Sequence, residues 1–170
     1  MANSLNDIGK DHPAQLTATA RAWMEDASDE RRWIVAHALR SSVKRGDPAA
    51  LAVLGYAGPV RLELVEKSID PRRPRMGARV TITVVLANPS RRRQRAVVDL
   101  VVHFVKANGA ANAKVFKIAV VDVAPSERAA LRKTVSLAEL STRRHYPGVH
   151  RVELQINGVA SRLGDFTLVR

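Results

Sequence analysis

Two spacings of apolar side chains divide the chain. Up to about residue 57 they recur every three to four positions. Leu16, Ala20, Trp23 and Met24 do so within Ala14–Glu25 and predict a helix, with Pro13 at its first turn. A second helix is expected from Asp29 to Arg45. Asp29 and Glu30 suit its N-terminus, and Lys44, Arg45 and Gly46 suit its end. A third opens at Asp47-Pro48, a capping residue followed by proline at the first turn, and runs to about Leu54. Leu5 and Ile8 followed by Gly9 read as the tail of an earlier helix with its C-cap, so the opening resembles the middle of a helical array.

After Gly55–Pro59 the spacing changes to two. Val80, Ile82, Val84 and Leu86 fall on one face of a strand, as do Val98, Leu100, Val102 and Phe104. Val152, Leu154 and Ile156 alternate with Arg151, Glu153 and Gln155. Further strands are expected at Val60–Lys67, Ala113–Val121, Ala130–Leu137 and Leu163–Val169, separated by turn signals such as Asn88-Pro89, Asn108-Gly109 and Asn157-Gly158. The fold class is therefore α+β: a short α-helical segment over 1–57, then an immunoglobulin-like β-sandwich of about seven strands over 58–170. The Cys–Trp–Cys pattern of antibody domains is missing, so only the general architecture is implied.

Charge sharpens the division. Residues 1–57 carry seven basic and seven acidic side chains, so the whole formal charge of +12 lies in residues 58–170. A sequence pI near 11.1 suits a polyanionic partner. There is no cysteine, which excludes a disulfide framework, a thiol nucleophile and a Cys-ligated metal. The five histidines form no metal-ligand spacing, and no phosphate-binding or nucleophile-elbow motif occurs. No metal or other cofactor is expected. The apolar run near Val97–Val105 is broken by Asp99 and His103 and falls short of the roughly 20 residues that span a bilayer. With no apolar signal core at the N-terminus, a cytoplasmic protein without a membrane partner is expected.

Two groups of side chains suit a phosphate backbone. On the second helix Trp33, His37, Arg40 and Lys44 share a polar stripe with an aromatic at its start. In the sandwich, the loops after the first, third and fifth strands fall at one end. They carry Arg72, Arg73 and Arg75, then Lys106 and Asn108, then Arg143 and Arg144. The opposite end carries Arg91, Arg92, Arg93 and Arg95, with Arg162 expected in the last loop. The plainer reading of either group is a solvated surface. Asn6 and Asp7 are expected to make helix-end hydrogen bonds, and Asp99 to partner His103 four residues on.

Several stretches together resemble one family: NSLNDIGKDHP (Asn3–Pro13), RRWIVAHALRSSVKRGDPAALAVLGY (Arg31–Tyr56), VHFVKANG (Val102–Gly109) with KVFK (Lys114–Lys117), and TRRHYPGVHRVELQINGV (Thr142–Val159). They are similar to the C-terminal part of bacterial DNA alkylation repair proteins of the AlkC type. The resemblance implies the end of a HEAT-like helical repeat domain followed by an immunoglobulin-like domain, and double-stranded DNA as partner. It also implies a glycosylase that excises cationic alkylated bases of the 3-methyladenine type. Such a base is already a good leaving group, so the enzyme mainly holds the lesion and stabilises a cationic sugar with carboxylate and aromatic groups. The catalytic carboxylate is expected in upstream repeats, for which these 170 residues hold no positions. The alternative at this point is a non-enzymatic DNA-binding or protein-interaction module.

Overall fold

The computed structural model describes residues 1–139 and 144–170. The chain divides into two compact units, Met1–Pro59 with Asn157–Val159, and Val60–Ile156 with Ala160–Arg170.

The first unit holds five helices among the described residues: α1 (Ala2–Asp11), α2 (Pro13–Met24), α3 (Asp29–Ala38), α4 (Arg40–Lys44) and α5 (Pro48–Val53). Their starts follow from local chemistry. Pro13 and Pro48 occupy first-turn positions, where the missing N–H costs nothing. The Ser28 hydroxyl accepts from Arg31 N (3.3 Å), and the Asp47 carboxylate accepts from Ala49 N (2.9 Å). Leu16, Ala20, Val35, Ala38, Leu39 and Ala50 form the core, flanked by Leu5, Trp23 and Met24.

Two expectations are corrected in this unit. Gly9 does not end a helix. It lies inside α1, which continues to Asp11, and a Cβ there would run into the Leu16 side chain. The glycine lets α1 and α2 approach. The helix expected over Asp29–Arg45 is interrupted at Leu39, and side chains bond the backbone on both sides of the break. Asn6 Oδ1 accepts from Ser41 N (3.3 Å), and Arg40 Nη1 donates to His37 O (2.7 Å). Asn6 thus makes the expected helix-end bond, while Asp7 pairs with Lys10 (2.8 Å).

The second unit is a sandwich of seven strands among the described residues: β1 (Glu63–Asp70), β2 (Arg79–Ala87), β3 (Gln94–Val105), β4 (Ala111–Val123), β5 (Arg128–Ser136), β6 (Gly148–Ile156) and β7 (Val159–Leu168). One sheet has the order β1-β2-β5 and the other β4-β3-β6-β7. The fourth strand therefore pairs with β3, whereas in antibody constant domains it joins the opposite sheet. Val80, Ile82, Val84 and Leu86 of β2 face Ala96, Val98, Leu100, Val102 and Phe104 of β3 across the core, joined by Val152, Leu154 and Phe166. Burying this many aliphatic side chains, each contributing about 1.5–3 kcal/mol, is what holds the sheets together.

The outward face of β3 differs from expectation at one pair. His103 does not bond Asp99. Its Nε2 lies 2.7 Å from Glu153 Oε2, and Arg151 Nε lies 3.3 Å from the other Glu153 oxygen. Residues four apart on a strand are about 13 Å apart, whereas β6 lies one strand spacing away and sets Arg151 opposite His103.

Candidate nucleic-acid interface

On the helical unit, Trp33 is 63% exposed and stacks on His37, with ring centroids 5.0 Å apart and planes within 10°. The two are four residues apart on α3, so helix geometry places the rings one above the other. Arg40 continues this line through its bond to the His37 carbonyl, and Lys44 follows, exposed, one turn on in α4. The stripe survives the break at Leu39 because the Arg40 guanidinium bridges it. A flat aromatic pair beside cationic side chains is a surface on which a sugar or base can rest.

In the sandwich, three connections gather at one end. The segment between β1 and β2 runs beside the end of β7: Thr167 N donates to Arg72 O (2.8 Å), Val169 N to Pro74 O (2.9 Å) and Met76 N to Val169 O (2.9 Å). Arg72 Nη1 also donates to Asp165 O (2.9 Å). Apart from the Arg72 guanidinium, these bonds use backbone, and the side chains of Arg73 and Arg75 are exposed. The same segment meets the start of the β5–β6 connection, where Leu137 N donates to Ala78 O (2.8 Å) and Gly77 N to Leu137 O (3.2 Å).

The β3–β4 turn is closed by Lys106 N to Ala110 O (2.8 Å) and by Asn108 Oδ1, which accepts from Ala110 N (3.1 Å). Gly109 sits there at φ +78°, in the left-handed region that a tight turn needs. Asn108 is therefore a turn-former, while Lys106 points its charge to solvent. Arg144 is exposed, with Nε 3.9 Å from Glu139, too long to bind it firmly. Arg143 lies outside the described residues.

A histidine missed in the sequence locks two of these connections together. His150 is fully buried between Phe166, stacked at 5.0 Å, and Phe104, edge-on at 5.7 Å. Its Nδ1 accepts from Val105 N (3.3 Å), and its Nε2 donates to Tyr146 O (3.1 Å). An amide N–H only donates and a carbonyl only accepts, so the ring is the neutral Nε2–H form. Burial lowers its pKa, outweighing the opposing backbone bonds to Tyr146 and His103. His145, also buried, packs on Phe104 at 5.1 Å. One imidazole thus fixes the residue before Lys106 and a residue two after Arg144. Its signal was its parity: His150 shares the inward face of Val152 and Leu154.

The structure therefore brings Arg72, Arg73, Arg75, Lys106, Asn108 and Arg144 to one end of the sandwich. Trp33, His37, Arg40 and Lys44 form a stripe of the helical unit. Acids at this end include Asp70, Glu139 and Asp165, the last paired at 3.2 Å with Arg162, which lies on β7 rather than in the last loop. Arginines on short, backbone-tied loops suit phosphate oxygens, which they can grip with two parallel N–H bonds. Among the described residues no cluster of His, Asp or Glu is arranged to hold a metal, and no helix is long and apolar enough to cross a membrane.

Comparison with known proteins gives this geometry a context. The family model described as "Uncharacterised protein YhaZ, C-terminal Ig-like domain" matches residues 63–170. The chain belongs to this YhaZ family. The YhaZ protein of Bacillus subtilis is 34% identical over 166 residues, which cover 98% of this chain and 46% of that protein. Among solved structures, the alkylpurine DNA glycosylase AlkC of Pseudomonas fluorescens, bound to DNA containing an abasic site analogue, superposes with a TM-score of 0.89 at 32% identity. It covers 99% of this chain and 47% of AlkC. The chain thus spans just under half the length of these relatives. A β-glucosidase of Listeria innocua matches 68% of the chain and 17% of its own length at TM-score 0.55 and 16% identity, a likeness of fold alone.

Proposed function

We propose that this member of the YhaZ family is the DNA-gripping part of a DNA alkylation repair protein, acting in the cytoplasm. The observation that carries the reading is its likeness, over nearly its whole length, to a glycosylase held on abasic DNA. The cluster of exposed cations at one end of its sandwich supports it. In this reading Arg72, Arg73, Arg75, Lys106, Arg143 and Arg144 contact phosphates of double-stranded DNA, and Asn108 shapes the turn beside Lys106. On the helical unit Arg40 and Lys44 meet the backbone, while Trp33 and His37 offer a stacking surface. Excision of a cationic base belongs to the relative and is assigned here to the whole repair protein. These residues supply position and grip.

Binding carried by phosphates is sequence-blind and salt-sensitive. Fluorescence anisotropy with a labelled duplex tests the reading. Affinity should fall steeply between 50 and 200 mM salt, roughly tenfold or more for several contacts, and equally on methylated and unmethylated duplex. A flat salt response would remove phosphate contact as the mode of binding.

A further inference from the structure

The opposite end of the sandwich carries a second basic element, built more rigidly than its sequence suggested. The turn between β2 and β3 presents Arg91, Arg92 and Arg93 in succession, all exposed. Beneath them Asn88, 1% exposed, acts as a knot. Its Nδ2 reaches the carbonyls of Arg92 (2.8 Å), Val123 (2.9 Å) and Ala124 (3.1 Å). Its Oδ1 accepts from Ser90 N (3.0 Å) and the Ser90 hydroxyl (2.7 Å). The backbone of Asn88 is also tied on both sides, its N donating to Glu127 O (3.0 Å) and its O accepting from Ser126 N (2.9 Å). Gln94 closes the turn, with Nε2 on Ser90 Oγ (3.0 Å) and Oε1 accepting from Arg61 N (3.0 Å).

A turn of this kind keeps its backbone fixed while three guanidinium groups face solvent. Most of the ordering cost of a loop-borne site is then met in folding, before any ligand arrives. Acids at this end include Asp122, Glu127, Glu63, which pairs with Ala87 beside the turn, and Glu66. Asp122 holds Arg93 at 3.2 Å, but both side chains are more than half exposed, so the pair is weak and exchangeable. Arg128 lies 3.9 Å from Glu66. Arg91 and Arg92 carry net positive charge outward, and their fork geometry matches phosphate oxygens.

Resting on the DNA-binding reading above, we propose that the 88–94 turn is a second phosphate-backbone site, which holds a stretch of duplex DNA apart from the one held at the other end. β2 has nine residues, so the two ends stand about 30 Å apart. A hairpin with a stem of eight base pairs is about 27 Å long and engages one end at a time. The experiment mixes donor-labelled and acceptor-labelled hairpins of this length with the full chain at low salt. The wild-type chain should bring the two together and give energy transfer. The Arg91→Ala, Arg92→Ala, Arg93→Ala triple variant should lose the transfer, while its affinity for a single hairpin falls by no more than about twofold, the loss of one of two sites. Its melting curve verifies that the fold is intact. Undiminished transfer in the triple variant would overturn the second site, since the chains would then be bridging by another surface. Wild-type binding of single hairpins without transfer would overturn it as well and leave the first site standing. Failure to bind either hairpin would overturn both readings.

Discussion

The two ends of the sandwich carry similar charge, yet they are held by different chemistry. At one end the connections are joined partly by backbone bonds around Ala78 and Leu137 and partly by His150, a titratable ring buried between two phenylalanines. At the other end Asn88 does the equivalent work with an amide that carries no charge at any ordinary pH. A primary amide offers two donors and an acceptor in one plane, and Asn88 uses both sides. The imidazole offers one of each, in a single tautomer. The comparison teaches that rigid presentation of arginines can be built from either group, and that only one version responds to protons.

The largest effect expected on this comparison comes from cutting the knot. Asn88→Ala leaves the carbonyls of Val123 and Ala124 without their side-chain donor at a buried position. It also frees the Ser90 turn. The loss should be about 3 kcal/mol of unfolding free energy by urea titration. A loss below about 1 kcal/mol would show that water replaces the amide and that the turn is not fixed by Asn88. An effect of middle size is expected at the opposite end. Replacing Arg72, Arg73 and Arg75 together by Ala should weaken duplex binding roughly tenfold at low salt and make the log-affinity against log-salt line shallower by about two to three. Unchanged slope would place the phosphate contacts elsewhere. Stability should fall only slightly, through loss of the exposed Arg72 Nη1 bond to Asp165 O, because the Arg72 and Pro74 carbonyls that anchor the segment to β7 are untouched.

How far the sequence shows these features depends on the range of the interaction responsible. Strand β2 was legible because its burial depends on its own alternation of Val80, Ile82, Val84 and Leu86 against threonines and Arg79. The α5 cap was legible because Asp47 and Pro48 act within one turn. The break at Leu39 was not, and the side chain that bonds the backbone beside it, Asn6, lies 35 residues from Ser41 along the chain. The choice of β4 to pair with β3 leaves no local trace either, because alternation says which face is buried and not which neighbour supplies the hydrogen bonds. The loop cations were visible as residue types. Their grouping depended on strand order, and the polar groups that fix them, Asn88 and His150, look like ordinary turn and strand residues. His150 had the right parity for the core and the wrong polarity, a mismatch that itself marks a buried polar group with assigned partners.

The smallest effect separates the two ends most cleanly. Burial holds the folded pKa of His150 below its ordinary value of 6.5. As pH falls, the unfolded chain therefore takes up this proton before the folded chain does, and the equilibrium moves towards unfolding. The stability contributed by the neutral ring is complete above about pH 6.5. It is lost as pH drops below that value towards the folded pKa. His150→Phe keeps a ring against Phe166 but removes both hydrogen bonds and the titration. Urea midpoints from pH 8 down to 5 should fall more steeply for wild type than for His150→Phe. The two chains differ at this one ring, so the difference between their curves reports on position 150. Hydrogen exchange locates the effect. Protection of the Val105 amide, which donates to His150, should decline in mild acid, while that of Ser90, which donates to Asn88, should hold. Equal decline at both amides would mean that acid loosens the whole sandwich and that the two ends do not differ in the way their partners suggest.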